Sequence, residues 1–166
     1  MKLEPLFTSK ENSLFAIDGN VVSMQGSTVI QAKGLCASSP VPECNKRPLL
    51  VQIFWEDIGM DESSYNEEFL ACLRDFLKVL DEQNIFAVIV PCTKKTSLSQ
   101  AEKDNFTASC KHCARRIKDC RSVIGFAIPE QVDTTCFMDE LSQKHAHYIY
   151  FSKSDATLTN SSIVKY

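Results

Sequence analysis

The chain has 166 residues, of which 44% are hydrophobic, and a formal net charge of −3. This length and composition are typical of one globular domain with an apolar core. The weakly acidic charge excludes the basic surface that nucleic-acid binding needs, and no apolar run approaches the ~20 residues of a membrane span.

The start of the chain bears on its location in the cell. Residues 1–5 lack the apolar core of a signal peptide. We therefore expect a cytoplasmic protein, or a secreted one only if a leader has been removed. Neither a nucleic acid nor a membrane is expected as a partner.

The N-terminal part of the chain is predicted to be a short arm followed by a hairpin. Residues 1–13 are polar and mixed, which favours an arm. Residues 14–24 place two apolar runs on either side of Asp18-Gly19, and Asp-Gly supports the positive φ of a tight hairpin turn. Residues 28–32 then read as a further extended segment.

The middle of the chain alternates between apolar strands and amphipathic helices. Strands are predicted at 49–55, 85–90, 123–128 and 147–151, and helices at 64–83, 101–120 and 134–145. Ser63 or Ser64 is the expected cap of the first helix and Asn84 its stop. Such alternation is typical of parallel strands joined by helical crossovers.

These elements predict an α/β fold with about five mostly parallel strands, three helices and an N-terminal β-hairpin. We interpret 1–166 as a single domain, with an α/β core at 28–151 and a loosely specified tail at 152–166. A closed eight-stranded barrel takes about 250 residues, so the sheet is expected to be open or to form half of a TIM barrel. Two unpaired sheet edges would then favour self-association, and we expect a homodimer.

Four phrases of the sequence resemble a known family in this order. They are Ile17-Asp-Gly-Asn20, the apolar run 49–55, the phrase Leu-Asp-Glu-Gln-Asn-Ile-Phe-Ala-Val-Ile at 80–89, and Ile-Lys-Asp-Cys-Arg-Ser-Val-Ile-Gly-Phe at 117–126. Together they resemble the N-terminal half of a (β/α)8-barrel glycoside hydrolase of the clan that includes cellulases and mannanases. The resemblance covers residues 14–151.

The resemblance implies a site at the carboxyl ends of the strands, and the motifs there are degenerate. In the family the fourth strand ends in Asn-Glu, whose Glu is the acid/base; here Pro129-Glu130 stands in its place. Gln52 occupies the position of a site Arg, and Cys92 that of a site His. The family's nucleophile lies on a seventh strand, which this chain does not have.

Further candidate residues follow the strand at 49–55. Trp55 would offer a ring face for a sugar, and Glu56 and Asp57 would bind its hydroxyl groups. The alternative is that Trp55 belongs to the core at the end of a strand.

The eight cysteines are predicted to be reduced thiols. Cys110-Lys-His-Cys113 has the spacing of metal ligands, but no second such pair exists and both thiols fall on an apolar helix face. Cys92 as a nucleophile lacks an evident base. We therefore predict no metal and no cofactor, and no glycine-rich phosphate loop occurs.

The sequence thus favours a degenerate glycoside-hydrolase-like module that binds carbohydrate without hydrolysing it. In the candidate site, Glu130 corresponds to the catalytic acid/base of the family. The predicted ligand-binding residues are Gln52, Trp55, Glu56, Asp57 and Cys92. Two alternatives stay open. One is a hydrolase whose site is completed by oligomerisation or a partner chain, and the other is a structural or assembly module without a small-molecule site.

Overall fold

A computed structural model of the chain describes residues 3–61 and 63–166. Within these residues the fold is mixed α/β, with four α-helices, a six-stranded parallel sheet and a three-stranded antiparallel sheet. Neither sheet closes into a barrel within the described chain. The predicted fold class is confirmed, with one more parallel strand and one more helix than the sequence pattern indicated.

The antiparallel sheet is built by the N-terminal part of the chain. Its strands, in spatial and chain order, are β1 Phe7–Lys10, β2 Ser13–Ala16 and β3 Val21–Val22. The predicted hairpin corresponds to β2 and β3, with Gly19 at φ 88° in its turn. The predicted N-terminal arm is wrong at β1, which pairs with β2. The sequence did not reveal this pairing, because the connecting Glu11-Asn12 turn contains no glycine. Both turn residues nevertheless adopt positive φ, of 51° and 59°.

The parallel sheet holds its strands side by side in chain order. They are β4 Val29–Gln31, β5 Leu49–Phe54, β6 Ala87–Cys92, β7 Val123–Ala127, β8 Ile149–Ser152 and β9 Val164–Lys165. The prediction of a loosely specified tail missed β9, because a two-residue strand carries no readable period. β9 pairs with β8 through Phe151 opposite Val164.

Four helices connect these strands. They are α1 Trp55–Ile58, α2 Glu67–Gln83, α3 Gln100–Arg116 and α4 Thr134–Ser142. The cap of α2 is Asn66, whose side chain accepts a hydrogen bond from the Phe69 backbone N–H, and neither predicted serine has this role. Asn84 ends α2 in the left-handed conformation, as predicted. None of the helices in the described residues has the length and apolar content to cross a membrane.

Two apolar layers lie on opposite faces of the parallel sheet. On one face, alternate strand residues such as Leu49, Val51 and Ile53 pack with the helices. On the other face, the antiparallel sheet inserts Leu14, which is 1% exposed. Its partners in that second layer include Met24, Leu50, Val88, Val90, Ile124, Ile149, Phe151 and Val164. The second layer faces where the interior of a full barrel would be, so we call it the concave face.

The two outer strands of the parallel sheet differ in how they are covered. The Glu11-Asn12 turn lies along β9: the Lys165 N–H donates to the Asn12 carbonyl at 3.0 Å, and the Asn12 side chain donates to the Ile163 carbonyl at 2.7 Å. At the other edge Val29 of β4 is 53% exposed.

Self-association through open edges stays a prediction, now centred on β4. Light scattering across a dilution series tests it, and a concentration-independent monomer would contradict it.

Replacing Leu14 with alanine tests how strongly the antiparallel sheet depends on the concave face. We expect Leu14→Ala to lower the free energy of unfolding by about 3 kcal/mol, because it leaves a cavity between the two sheets. Val21→Ala, at a position 68% exposed on the adjacent strand, should change it by less than about 0.5 kcal/mol. Urea denaturation measures both values. Equal effects would show that Leu14 is not an anchor.

Candidate functional site

A cleft of about 300 Å³ opens on the concave face, towards the carboxyl ends of the parallel strands. In parallel α/β folds this is the end at which ligands bind. Val29 of β4 and Tyr166, directly after β9, both line it, so the first and last strands border one space. The polar side chains of the lining are Gln52, Cys92, Thr93, Glu130, Gln131, Lys153 and Tyr166.

Three of the six predicted site residues come together in this cleft. Gln52 lies on β5, Cys92 ends β6, and Glu130 follows β7. The first two reach the cleft by strand periodicity, because each stands two positions after a residue of the concave core, Leu50 and Val90 respectively.

Glu130 is the carboxylate that lines this cleft. It is exposed and follows the buried Pro129. Its side chain accepts no hydrogen bond and forms no ion pair with any residue the structure describes. Both oxygens are therefore available to a ligand.

Trp55 lies outside the cleft, in the core beneath the helices. It is 1% exposed, its ring stacks on Phe106 with centroids 5.0 Å apart, and its indole Nε1–H donates to Ser109 Oγ at 3.0 Å. No ring face is left for a sugar, so the core alternative describes this residue. The reason is local: α1 begins at Trp55 and turns the chain away from the strand direction.

Glu56 and Asp57 are engaged with other parts of the chain. Glu56 Oε1 accepts hydrogen bonds from Thr93 Oγ1 at 2.8 Å and from the Lys94 N–H at 2.9 Å. Asp57 lies 3.3 Å from the ammonium of Lys33. Neither carboxylate is part of the cleft lining, and Glu56 ties the loop after β6 to α1.

The pKa of Glu56 is lowered from its ordinary value of 4.5. Burial alone would raise this pKa, but hydrogen bonds from its own backbone, from Lys94 and from Thr93 outweigh the desolvation. The charged form is thus favoured, although Oε2 is buried without a hydrogen-bond partner among the described residues.

Cys92 is held as a neutral thiol. Desolvation by burial, followed by the negative charge of Glu56, raises its pKa, and Lys153 opposes this only in part. The cleft lining contains no histidine that would act as a base. Because the thiolate is the nucleophilic form, this environment does not favour a nucleophilic Cys92.

Lys153 and Tyr166 are among the cleft residues that the sequence did not indicate. The Lys153 ammonium lies 4.9 Å from the centroid of the Tyr166 ring, which is a cation–π distance. Burial, with Cys92 and Glu130 nearby, raises the pKa of Tyr166 to about 12, so its hydroxyl stays protonated at neutral pH. Each stands two positions after a concave-face residue, Phe151 or Val164. Recognition of β9 would have revealed Tyr166.

The spacing of Cys110 and Cys113 reflects core packing. Both thiols are fully buried on the inner side of α3, whereas His112 stacks on Tyr65 and contacts Glu67 at 2.7 Å. No group of three or more His, Cys, Asp or Glu side chains in the described residues is arranged to hold a metal ion. All eight cysteines are free thiols.

No protein-family model matches this sequence, and no curated protein is significantly similar to it. The chemistry of the cleft is thus the basis for a functional proposal.

Replacing Glu56 with glutamine should alter how stability depends on pH. The pKa of Glu56 is lower in the folded state than in the unfolded state, so its charged form stabilises the fold at pH values above the unfolded-state pKa. This stabilisation disappears as pH falls through the folded-state pKa. We expect Glu56→Gln to lower the free energy of unfolding by about 1 kcal/mol at pH 7. The difference from wild type should shrink below about pH 4.5. Urea denaturation at several pH values measures it.

Glu130→Gln is the matched control, because its carboxylate has no partner among the described residues. It should change the free energy of unfolding by less than about 0.5 kcal/mol at pH 7. A Glu56→Gln effect that stays constant with pH would contradict the assignment.

Proposed function

We propose that this chain is a non-catalytic, glycoside-hydrolase-like module that binds a carbohydrate in the cleft. The observation that carries the proposal is the convergence of side chains from five successive strands on one space: Gln52, Cys92, Glu130, Lys153 and Tyr166. A partly exposed aromatic ring complements the apolar face of a pyranose. The amide, carboxylate and ammonium around it complement hydroxyl groups. The cleft volume of about 300 Å³ is at the lower end of the ~300–1,000 Å³ range of small-molecule sites.

The count of carboxylates favours binding over hydrolysis. A retaining glycosidase needs two carboxyl groups about 5 Å apart, one as acid/base and one as nucleophile. Glu130 lines the cleft without a second carboxylate beside it. Glu56 and Asp57 are the other carboxylates predicted for the site, and they are bound to Thr93 and Lys33.

The half-barrel-like arrangement of the parallel sheet is the fold-level basis of the proposal. Six parallel strands lie in chain order, and the cleft is at their carboxyl ends. The resemblance implies site residues at Gln52 on β5, at Cys92 at the end of β6, and at Glu130 after β7. This is an analogy between folds, so the function still depends on the side chains present.

One observation favours the alternative of a hydrolase completed by another chain. Val29 both lines the cleft and is 53% exposed on the β4 edge. A second chain that paired with β4 would therefore adjoin Glu130's cleft and could bring a second carboxylate to it. A purely structural module, the remaining alternative, requires no ligand.

The proposal predicts measurable affinity for a disaccharide. We expect wild-type protein to bind cellobiose or mannobiose in calorimetric titration, and Tyr166→Ala and Glu130→Gln each to weaken binding about tenfold, or about 1.4 kcal/mol. Tyr166→Phe, which keeps the ring, should retain most of the affinity. Glu82→Gln, an exposed charge removed on α2, should bind like wild type.

Two results would reject the proposal. Absence of binding to both disaccharides would leave the structural role as the better account. Release of reducing sugar by wild-type protein and its loss in Glu130→Gln would identify a hydrolase, with its missing carboxylate supplied by another chain.

A further inference from the structure

A second cavity, of about 540 Å³, lies at the opposite end of the parallel sheet. It is bounded by three separate segments: the antiparallel sheet, the turn at residues 44–48, and residues 84–86 before β6. We call it the amino-end groove. Its volume is within the ~300–1,000 Å³ typical of small-molecule pockets.

The walls of this groove are mainly apolar. Phe7 and Phe86 form an edge-to-face pair in the lining, with centroids 4.8 Å apart. Val22 and Ile85 continue the apolar surface, and Ile17 is 68% exposed on its wall. Because removal of apolar surface from water is favourable, an apolar chain that enters the groove gains free energy against these walls.

The rim of the groove is cationic. Lys46 and Arg47 lie in the turn closed by the Arg47 N–H, which donates to the Cys44 carbonyl at 2.8 Å. Neither side chain forms an ion pair or hydrogen bond with any residue that the structure describes. Both charges are therefore free to bind an anion, and arginine can bind a carboxylate through two parallel hydrogen bonds.

Asp18 is the acidic residue of the groove lining, and it is already engaged. Its carboxylate accepts hydrogen bonds from the Asn20 backbone N–H at 2.9 Å and from the Asn20 side chain at 2.8 Å. The carboxylate keeps its negative charge, so two cations and one anion give the lining side chains a net charge of +1.

We propose that the amino-end groove binds a medium-chain fatty acid. The apolar walls accommodate the acyl chain, and Lys46 and Arg47 bind its carboxylate at the rim. This site is independent of the carbohydrate cleft, because the two cavities have no lining residue in common.

Titration with decanoate below its micellar concentration, followed by amide chemical shifts, tests the proposal. We expect shift changes at Ile17, Val22 and Phe86, and binding weakened at least tenfold in the double variant Lys46→Gln/Arg47→Gln. Decanol, which has the same chain without the charge, should bind wild type more weakly than decanoate and should not distinguish wild type from the double variant.

The matched control is Lys118→Gln/Lys144→Gln, which removes two exposed charges that are not part of the groove lining. It should bind decanoate like wild type. Ile17→Glu supplies a second test at an exposed position, where folding is not at risk. It should weaken decanoate binding, because it places a negative charge on the groove wall. Equal decanoate affinity in the two double variants, decanol binding as tightly as decanoate, or no binding by wild type would each overturn the proposal.

Discussion

The apolar concave face of an unclosed parallel sheet is the constraint on which the rest of this structure depends. In a full barrel such side chains would fill the interior, but six strands leave them open on one side. The N-terminal antiparallel sheet covers them, with Leu14 as its most deeply buried contribution. Burial of a leucine side chain stabilises a fold by about 2 kcal/mol. The N-terminal strands are thus a structural requirement of the half-barrel.

The same cover determines where cavities form. The antiparallel sheet meets the parallel strands near their amino ends, where it encloses the amino-end groove with residues 44–48 and 84–86. It leaves the carboxyl ends open, and the cleft lies there. Asn12 holds the turn of β1 and β2 against β9, which fixes the strand that positions Tyr166. One packing arrangement therefore produces two chemically different cavities.

Sequence periodicity predicted the elements whose pattern is long enough to read. α2 and the buried strands β5, β6 and β7 were found because apolar residues repeat over five or more positions. Gln52 and Cys92 were singled out by the family resemblance, and Glu130 both by that resemblance and by its place after the strand at 123–128. Trp55 has no surface role in this structure, because the strand ends one residue earlier than its apolar run.

The elements that the sequence did not reveal depend on contacts distant in the chain. β9 exists as a strand only because β8 and the Asn12 turn offer backbone partners to two residues. β1 likewise depends on a turn whose two residues tolerate positive φ without glycine. Lys153 and Tyr166 are part of the cleft through these contacts, so local propensity could not place them there.

The most direct test of the central claim is a titration of isotopically labelled protein with cellobiose, followed by amide and indole resonances. If carbohydrate binds in the cleft, shift changes should cluster at Gln52, Cys92, Glu130, Lys153 and Tyr166. The indole signal of Trp55, the one tryptophan of the chain, should not move, because its N–H is bonded to Ser109 in the core. Changes centred on Trp55, or no changes in the cleft, would contradict it.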